Sequence, residues 1–276
     1  RNKGNYPDTL IMTATPIPRT LSLSVYGDLD ISTINELPPG RIPIKTFWRI
    51  DTQINSILDF VREQIHSGRQ AYVIYPLVEE SQKIDLKAAI QMHEHLQKDI
   101  FPDLKVGLVH GKVPKKEQRD VMNCFANGEI HILVSTTVIE VGIDVPNATI
   151  MLIEHAERFG LSQLHQLRGR IGRGAHESFC ILMTPENVSS LVRERISILT
   201  QTTDGFIIAD KDLQLRGPGE LLGTLQHGMG QFKIADLLQD QSWLLKARED
   251  AQSILRDSEQ TKYQPIYHWL KNYFGD

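Results

Sequence analysis

The chain has 276 residues, of which 41% are hydrophobic, so it is long enough for one α/β core with an appendage or for two small domains. The net charge of −4 excludes a protein that attracts nucleic acid through its overall charge, and it leaves only local basic patches for such contacts. Cys124 and Cys180 lie in apolar runs without metal-ligand spacing, which indicates buried, reduced thiols and no metal site. No apolar run reaches the roughly 18–20 residues of a membrane helix, and we expect a cytoplasmic protein.

The N-terminal segment, residues 1–27, opens with a short polar stretch that is followed by a strand-like run at 9–13. We expect this run to be the last strand of a preceding domain, the remainder of which lies upstream. The sequence has no GxxxxGKS or GxxxxGKT loop to cradle phosphates, and it has no DExH carboxylates. The chain is therefore predicted to be the C-terminal portion of a longer protein.

Residues 28–185 alternate between apolar, β-branched runs and amphipathic runs, which is typical of a βαβ domain. The predicted strands are 44–50, 71–78, 105–109, 130–135, 149–153 and 178–183, and the predicted helices are 52–66, 85–97, 114–126 and a segment that starts at 161. Strands joined by crossover helices predict an α/β fold with a mainly parallel sheet and helices on both faces. Functional residues in such folds follow the carboxyl ends of the strands, so we expect the site at that edge.

After residue 185 the pattern changes to helices. Residues 188–199 are amphipathic, the run at 205–209 has the only strand-like alternation, and 216–230 form a glycine-rich loop. The pattern is helical again from 235 to 273. We therefore divide this part into a helical hairpin with its loop, residues 186–232, and a C-terminal helical tail, residues 233–276.

The segment LSQLHQLRGRIGRG, residues 161–174, concentrates positive charge, and no acid occurs between Arg158 and Gly174. Its leucines recur at helical spacing and predict one apolar face, whereas Gln166, Arg170 and Arg173 are expected to share another face. Like charges at this spacing repel each other, so a polyanion such as a nucleotide triphosphate is a natural partner. Gly169 lets a ligand approach the backbone. The alternative is a solvated basic face on a surface helix.

Several motifs resemble those of superfamily 2 helicases and translocases. The residues that carry the resemblance are Gln166, Gly169, Arg170 and Arg173 for motif VI, 134–146 for motif V, 13–20 for motif III, and 109–111 for a nucleic-acid-contacting loop. The run Asp204-Gly205-Phe206, the stretch 212–224 and Gln226 resemble more specifically the RecG family of bacterial branched-DNA translocases. Transcription-repair coupling factors share much of this pattern, but 27–30 and 36–41 look closer to RecG.

The resemblance implies a RecA-like domain that binds ATP with Mg²⁺, held mainly by a first motor domain that this chain lacks. Arg170 and Arg173 would be catalytic groups on the γ-phosphate, and Gln166 would hold the attacking water or a phosphate oxygen. The nucleotide would also meet Gly169, Gly142 and Asp144, where the carboxylate accepts a ribose hydroxyl or an arginine. The alternative for Asp144 is a turn carboxylate before Pro146.

On the nucleic-acid side, the resemblance implies phosphate contacts from backbone amides and hydroxyls, supplied by His110, Gly111, Thr136 and Thr137. Ordinary helix capping is the alternative for these residues. Motif III would relay the nucleotide state through Thr13 and Thr15. Arg195, Arg216 and Gln226 match positions of the family's translocation hairpin. Arg195 alternatively is an exposed helix charge paired with Glu194 or Asp212.

One departure from the family occurs in the hairpin loop, where Leu225 stands in place of an arginine. If the arginine normally meets a phosphate, this chain should bind duplex DNA somewhat more weakly and with a smaller salt dependence. Alternatively, Leu225 packs and His227 takes over the contact.

The resemblance implies the motor of an ATP-driven double-stranded DNA translocase that remodels stalled forks and junctions during repair and recombination. Its partners would be branched double-stranded DNA and the upstream RecA-like and wedge domains of the same polypeptide, and it would act as a monomer without a membrane. These 276 residues alone are expected to be inactive as an ATPase. Three alternatives stay open: a binding module without turnover, the motor of a transcription-repair coupling factor, and an α/β nucleotide-binding domain unrelated to DNA. The RecG-like run argues against the last.

Overall fold

The computed structural model describes residues 40–76, 82–136, 144–216 and 240–256, together with isolated positions outside these ranges. The described residues belong to two compact units, which meet in the sequence at Leu215 and Arg216. The domain boundaries expected at residues 27, 185 and 232 remain predictions. Within the described ranges, no helix combines the length and the apolar character that crossing a membrane requires.

The first unit contains a sheet of six strands, all of them parallel to their neighbours, in the order β1-β6-β5-β2-β4-β3. The strands are β1 (Lys45–Ile50), β2 (Gln70–Tyr75), β3 (Val106–Val109), β4 (Ile132–Thr136), β5 (Ala148–Ile153) and β6 (Phe179–Thr184). The helices of this unit are α1 (Ile54–His66), α2 (Gln82–His95), α3 (Lys115–Ala126), α4 (Leu161–Arg168), α5 (Ser190–Gln201) and α6 (Gly205–Arg216). A π-helical turn, Leu96–Ile100, extends α2.

Successive residues of a strand point to opposite sides of the sheet, so the apolar strands expose apolar side chains on both faces. Helices cover both faces and bury these side chains. Tyr72 and Ile74 of β2 join the core beneath α3 and α4, whereas Val73 joins the core beneath α1 and α2. All residues of β2, β4 and β5 are buried. The parallel α/β fold predicted from the sequence is therefore confirmed.

The strand-like interpretation of residues 205–209 is wrong, because these residues open helix α6. Asp204 caps the helix, with its Oδ1 accepting a hydrogen bond from the Phe206 backbone N–H at 2.7 Å. Ile208 and Leu213 on one side of α6 are buried. The apolar run therefore packs as the buried side of a helix.

In the second unit, the structure describes one helix of appreciable length, α7 (Gln241–Arg256). Its Trp243 side chain is exposed, and the Lys246 ammonium lies 5.7 Å from the centre of the indole ring.

Candidate functional site

The basic segment begins as a short helix and ends as a turn. Helix α4 buries its three leucines as predicted, but it ends at Arg168, where the Gly169 backbone N–H bonds to the carbonyl of His165. Arg170 and Arg173 therefore lie beyond the helix, and the expectation that they share one helical face with Gln166 is wrong. The glycines explain the difference, since Gly172 has a positive φ of 72° that no continuing α-helix allows.

The turn of residues 169–174, named here the arginine turn, packs on the amino-terminal edge of the sheet. A Cβ on Gly172 would lie 2.8 Å from the Ile44 side chain, and one on Gly174 would lie 2.7 Å from the Pro146 carbonyl oxygen. Ile44 and Pro146 both precede strands, β1 and β5 respectively. Helix α4 has carried the chain back across the sheet. The arginines therefore lie at the amino-terminal edge, and the expectation that they would lie at the carboxyl edge is wrong.

The arginine turn brings three of the predicted nucleotide-binding residues together. Arg173 Nη1 lies 3.3 Å from Asp144 Oδ1, and both side chains are accessible, at 36% and 53%. Arg170 is half-buried, and Gln166 on α4 is exposed. The structure thus places Asp144 beside an arginine, which is one of the two partners that the resemblance implied for this carboxylate.

Tyr72 lies beneath this cluster, on β2. Burial raises the pKa of its hydroxyl to about 12, while the charges of Arg173 and Arg170 act in the opposite direction. The two guanidinium groups therefore lie near the same buried phenol, which stays neutral at physiological pH. Because the Tyr72 hydroxyl is neutral, the positive charge of the turn is left to be balanced by Asp144 or by an incoming anion.

Arg168, which belongs to the same basic segment, has a structural contact instead. It is only 3% exposed, and its Nη1 donates to the carbonyl oxygens of Leu199 at 2.8 Å and Thr202 at 2.9 Å. Its Nη2 lies 3.0 Å from Nδ1 of His165, the pKa of which is lowered to about 4 by burial and by the Arg168 charge. Neutral His165 thus accepts a hydrogen bond, and Arg168 ties α4 to the end of α5.

The predicted nucleic-acid contacts lie at the opposite, carboxyl edge of the sheet. His110 and Gly111 follow β3, and Thr136 ends the adjacent strand β4. Gln118 Nε2 donates to the carbonyl oxygens of His110 at 3.1 Å and Val113 at 2.7 Å, so α3 holds the turn after β3 in place. The motif alone did not indicate Gln118.

His110 and Thr136 differ in their accessibility. Burial and the nearby Lys112 lower the pKa of His110, and its Nδ1 accepts from the Lys112 backbone N–H at 3.3 Å, so the proton of the neutral ring lies on Nε2. The Thr136 side chain is fully buried. Its hydroxyl therefore does not face solvent, and the Thr136 phosphate contact from a hydroxyl group has no support in this arrangement.

Arg195 of the hairpin lies on α5 and is half-buried. Its Nη2 donates to the backbone carbonyl of Glu157, which follows β5. The contact joins α5 to the carboxyl edge, and it differs from the exposed charge that was the alternative for Arg195. Thr13, Thr15, Thr137, Gly142, Gln226 and the side chain of Arg216 lie outside the described residues, as does Leu225.

Residues 52–175 match the family described as helicase conserved C-terminal domain. The parallel sheet and the paired arginines after α4 agree with that match, so the chain is of the superfamily 2 helicase class. The more specific match is at residues 202–273, which correspond to domain 3, C-terminal, of the ATP-dependent DNA helicase RecG.

The relatives agree with this second match. The chain is 50% identical over 263 residues to a protein of Synechocystis and 52% identical over 253 residues to one of Thermotoga maritima, both named ATP-dependent DNA helicase RecG. These matches cover 95% and 92% of this chain but 32% of each relative. A Bacillus subtilis protein of the same name is 50% identical over 273 residues, which are 99% of this chain and 40% of that protein.

A solved structure described as RecG bound to a three-way DNA junction matches with a TM-score of 0.69 and 49% identity, covering 88% of this chain and 31% of that chain. The chain is therefore of the RecG type and corresponds to the C-terminal portion of these helicases. It spans only about a third of their length, as the 32% coverage of the first two relatives indicates. The family recognised from the motifs is confirmed.

Proposed function

We propose that the chain is the C-terminal motor portion of an ATP-dependent double-stranded DNA translocase that remodels branched DNA, such as stalled forks and junctions, in repair and recombination. The observation that carries this proposal is the likeness to RecG on a three-way junction, at 49% identity and a TM-score of 0.69. The arginine turn supports it, because it offers two guanidinium groups near an accessible carboxylate at one edge of the sheet.

In this proposal, Arg170 and Arg173 stabilise the charge that develops on the γ-phosphate oxygens during transfer to water. Asp144 holds the Arg173 guanidinium until a phosphate competes for it. Gln166, exposed on the last turn of α4, orients the water or a phosphate oxygen, and Gly142 and Gly169 let the nucleotide approach the backbone. The triphosphate and its Mg²⁺ are held mainly by a preceding motor domain.

The DNA lies along the carboxyl edge in this proposal, where His110, Gly111 and Thr137 contact phosphates without reading the sequence. Thr13 and Thr15 relay the nucleotide state. Arg195, Arg216 and Gln226 belong to the translocation hairpin, which responds to that state. The full protein acts as a monomer in the cytoplasm, and its upstream RecA-like and wedge domains complete the motor.

ATP hydrolysis tests this proposal. We expect no turnover from the 276-residue chain with or without a three-way junction, and turnover stimulated by the junction from a polypeptide that also carries the preceding motor domain. Stimulation by branched DNA should exceed stimulation by linear duplex of equal length. Turnover by the 276 residues alone, or a longer protein that is indifferent to DNA, would contradict the proposal.

A further inference from the structure

Four cations surround the turn after β3 and the start of α3, namely Lys112, Lys115, Lys116 and Arg119; we name them the α3 basic surface. All four side chains are exposed. None of them forms an ion pair within the part of the chain that the structure describes. By contrast, two other exposed lysines of this unit are paired with acids, Lys45 with Glu177 and Lys98 with Glu94.

The geometry of α3 gathers these charges on one side. At about 100° per residue, Lys115, Lys116 and Arg119 lie within about 100° of each other, whereas Glu117 points away from the centre of that arc. Asp120, also exposed, lies just beyond Lys116. The surface therefore presents a concentrated positive charge with acids only at its margin.

The position of Lys115 and Lys116 at the start of α3 destabilises the helix when no anion is bound. Lys115 and Lys116 occupy the first turn of α3, where the helix dipole already places partial positive charge, and Glu117 is the only acid in that turn. Cations at this end of a helix are destabilising unless an anion lies against them. An external anion would remove that cost.

The surface is also continuous with the predicted DNA contacts. Lys112 belongs to the turn of His110 and Gly111, which Gln118 fixes to α3 through two hydrogen bonds. The turn and the first helical residues are thus held as one piece at the carboxyl edge. A polyanion that contacts Gly111 would meet Lys112 and the start of α3 next.

We propose that the α3 basic surface binds the sugar–phosphate backbone of DNA and extends the contact from the turn after β3 along helix α3. The proposal rests on the function proposed above and adds residues to its DNA-binding side. Lys112, Lys115 and Lys116 neutralise phosphates as point charges, so they raise affinity without reading sequence. Each phosphate contact contributes about one to the slope of log affinity against log salt.

The test measures duplex and junction affinity across a salt series, by fluorescence anisotropy, on the full polypeptide that contains these residues. The variant is Lys112→Gln/Lys115→Gln/Lys116→Gln. The matched control is Lys45→Gln/Lys98→Gln/Lys211→Gln, which removes the same charge from exposed lysines that have side-chain partners. We expect the variant to lower the salt slope by about two to three, and to weaken binding at low salt by roughly 10- to 100-fold. The control should change the slope by less than about one.

Equal salt slopes for the variant and the control would contradict the proposal that the α3 basic surface binds DNA. So would a variant that binds DNA normally but loses binding to an acidic peptide, because the surface would then recognise a protein. The proposed function fails separately, through a wild-type protein whose ATP turnover does not respond to DNA. If the ATP turnover of the wild type responds to DNA but the two triple variants have equal salt slopes, the proposed function is retained. Only the DNA-binding role of the α3 basic surface is then contradicted.

Discussion

The amino-terminal and carboxyl edges of the sheet both carry cations, but they hold them differently. At the amino-terminal edge, Arg173 lies against Asp144 in a turn that is packed by Gly172 and Gly174. At the carboxyl edge, the α3 basic surface lacks carboxylate partners among the described residues. An anion must compete with a carboxylate at the first edge and meets free charge at the second. The first arrangement suits a ligand that comes and goes in each cycle, and the second suits a polymer that stays bound.

Loss of Arg173 at the amino-terminal edge should have the most severe consequence. Arg173→Ala in the full polypeptide should lower DNA-stimulated ATP turnover about a thousandfold or more, because a guanidinium that stabilises transferring phosphate contributes that much. Steady-state hydrolysis and junction affinity measured together check the prediction. Arg193→Ala, at an exposed position of α5, is the matched control and should retain turnover. Intact turnover in Arg173→Ala would remove the catalytic role.

Arg168 should behave differently from its basic neighbours, because its contacts are structural. Arg168→Met in the 276-residue chain should lower the free energy of unfolding by about 2–4 kcal/mol, since it leaves the buried carbonyls of Leu199 and Thr202 without their donor. Urea unfolding measures the change. Arg168→Lys restores a donor and should recover part of the loss, whereas a neutral result for Arg168→Met would show that the carbonyls find other donors.

The smallest effect concerns the carboxyl edge. Gln118→Met keeps the length of the side chain but removes the hydrogen bonds to His110 and Val113, each worth about 1 kcal/mol. The turn should loosen, and DNA affinity should fall a few-fold with an unchanged salt slope, because no charge is lost. Gln214→Met on α6 serves as the control. A fall in slope as large as that of the triple lysine variant would contradict the separate roles.

The central strands β2, β4 and β5 could be predicted because they are largely apolar runs that are buried on both faces of the sheet. Helix α6 could not, since Phe206 to Ala209 are apolar in succession and show no helical period. The Asp204 cap was the signal that distinguished it. A short apolar run can belong to a strand or to a helix, and a capping residue just before the run indicates a helix.

The structure brings Asp144, Arg170 and Arg173 together, but at the edge of the sheet opposite to the one that we expected, and their roles stay predictions. The rule about carboxyl ends applies to residues that directly follow a strand, as His110 does, whereas α4 separates the arginine turn from β5. The burial of Arg168 did have a signal in the sequence. Arg168 lies seven residues after Leu161 and four after Leu164, so it falls on the apolar face of α4, as His165 does.

The crossover between β4 and β5 leaves the carboxyl edge at Thr136 and has reached the amino-terminal edge at Asp144. The five residues of β4 separate these two edges by roughly 15 Å. Seven residues, 137–143, join these two positions in the sequence, so the segment that carries the proposed DNA contact Thr137 leads directly to the carboxylate that lies against Arg173.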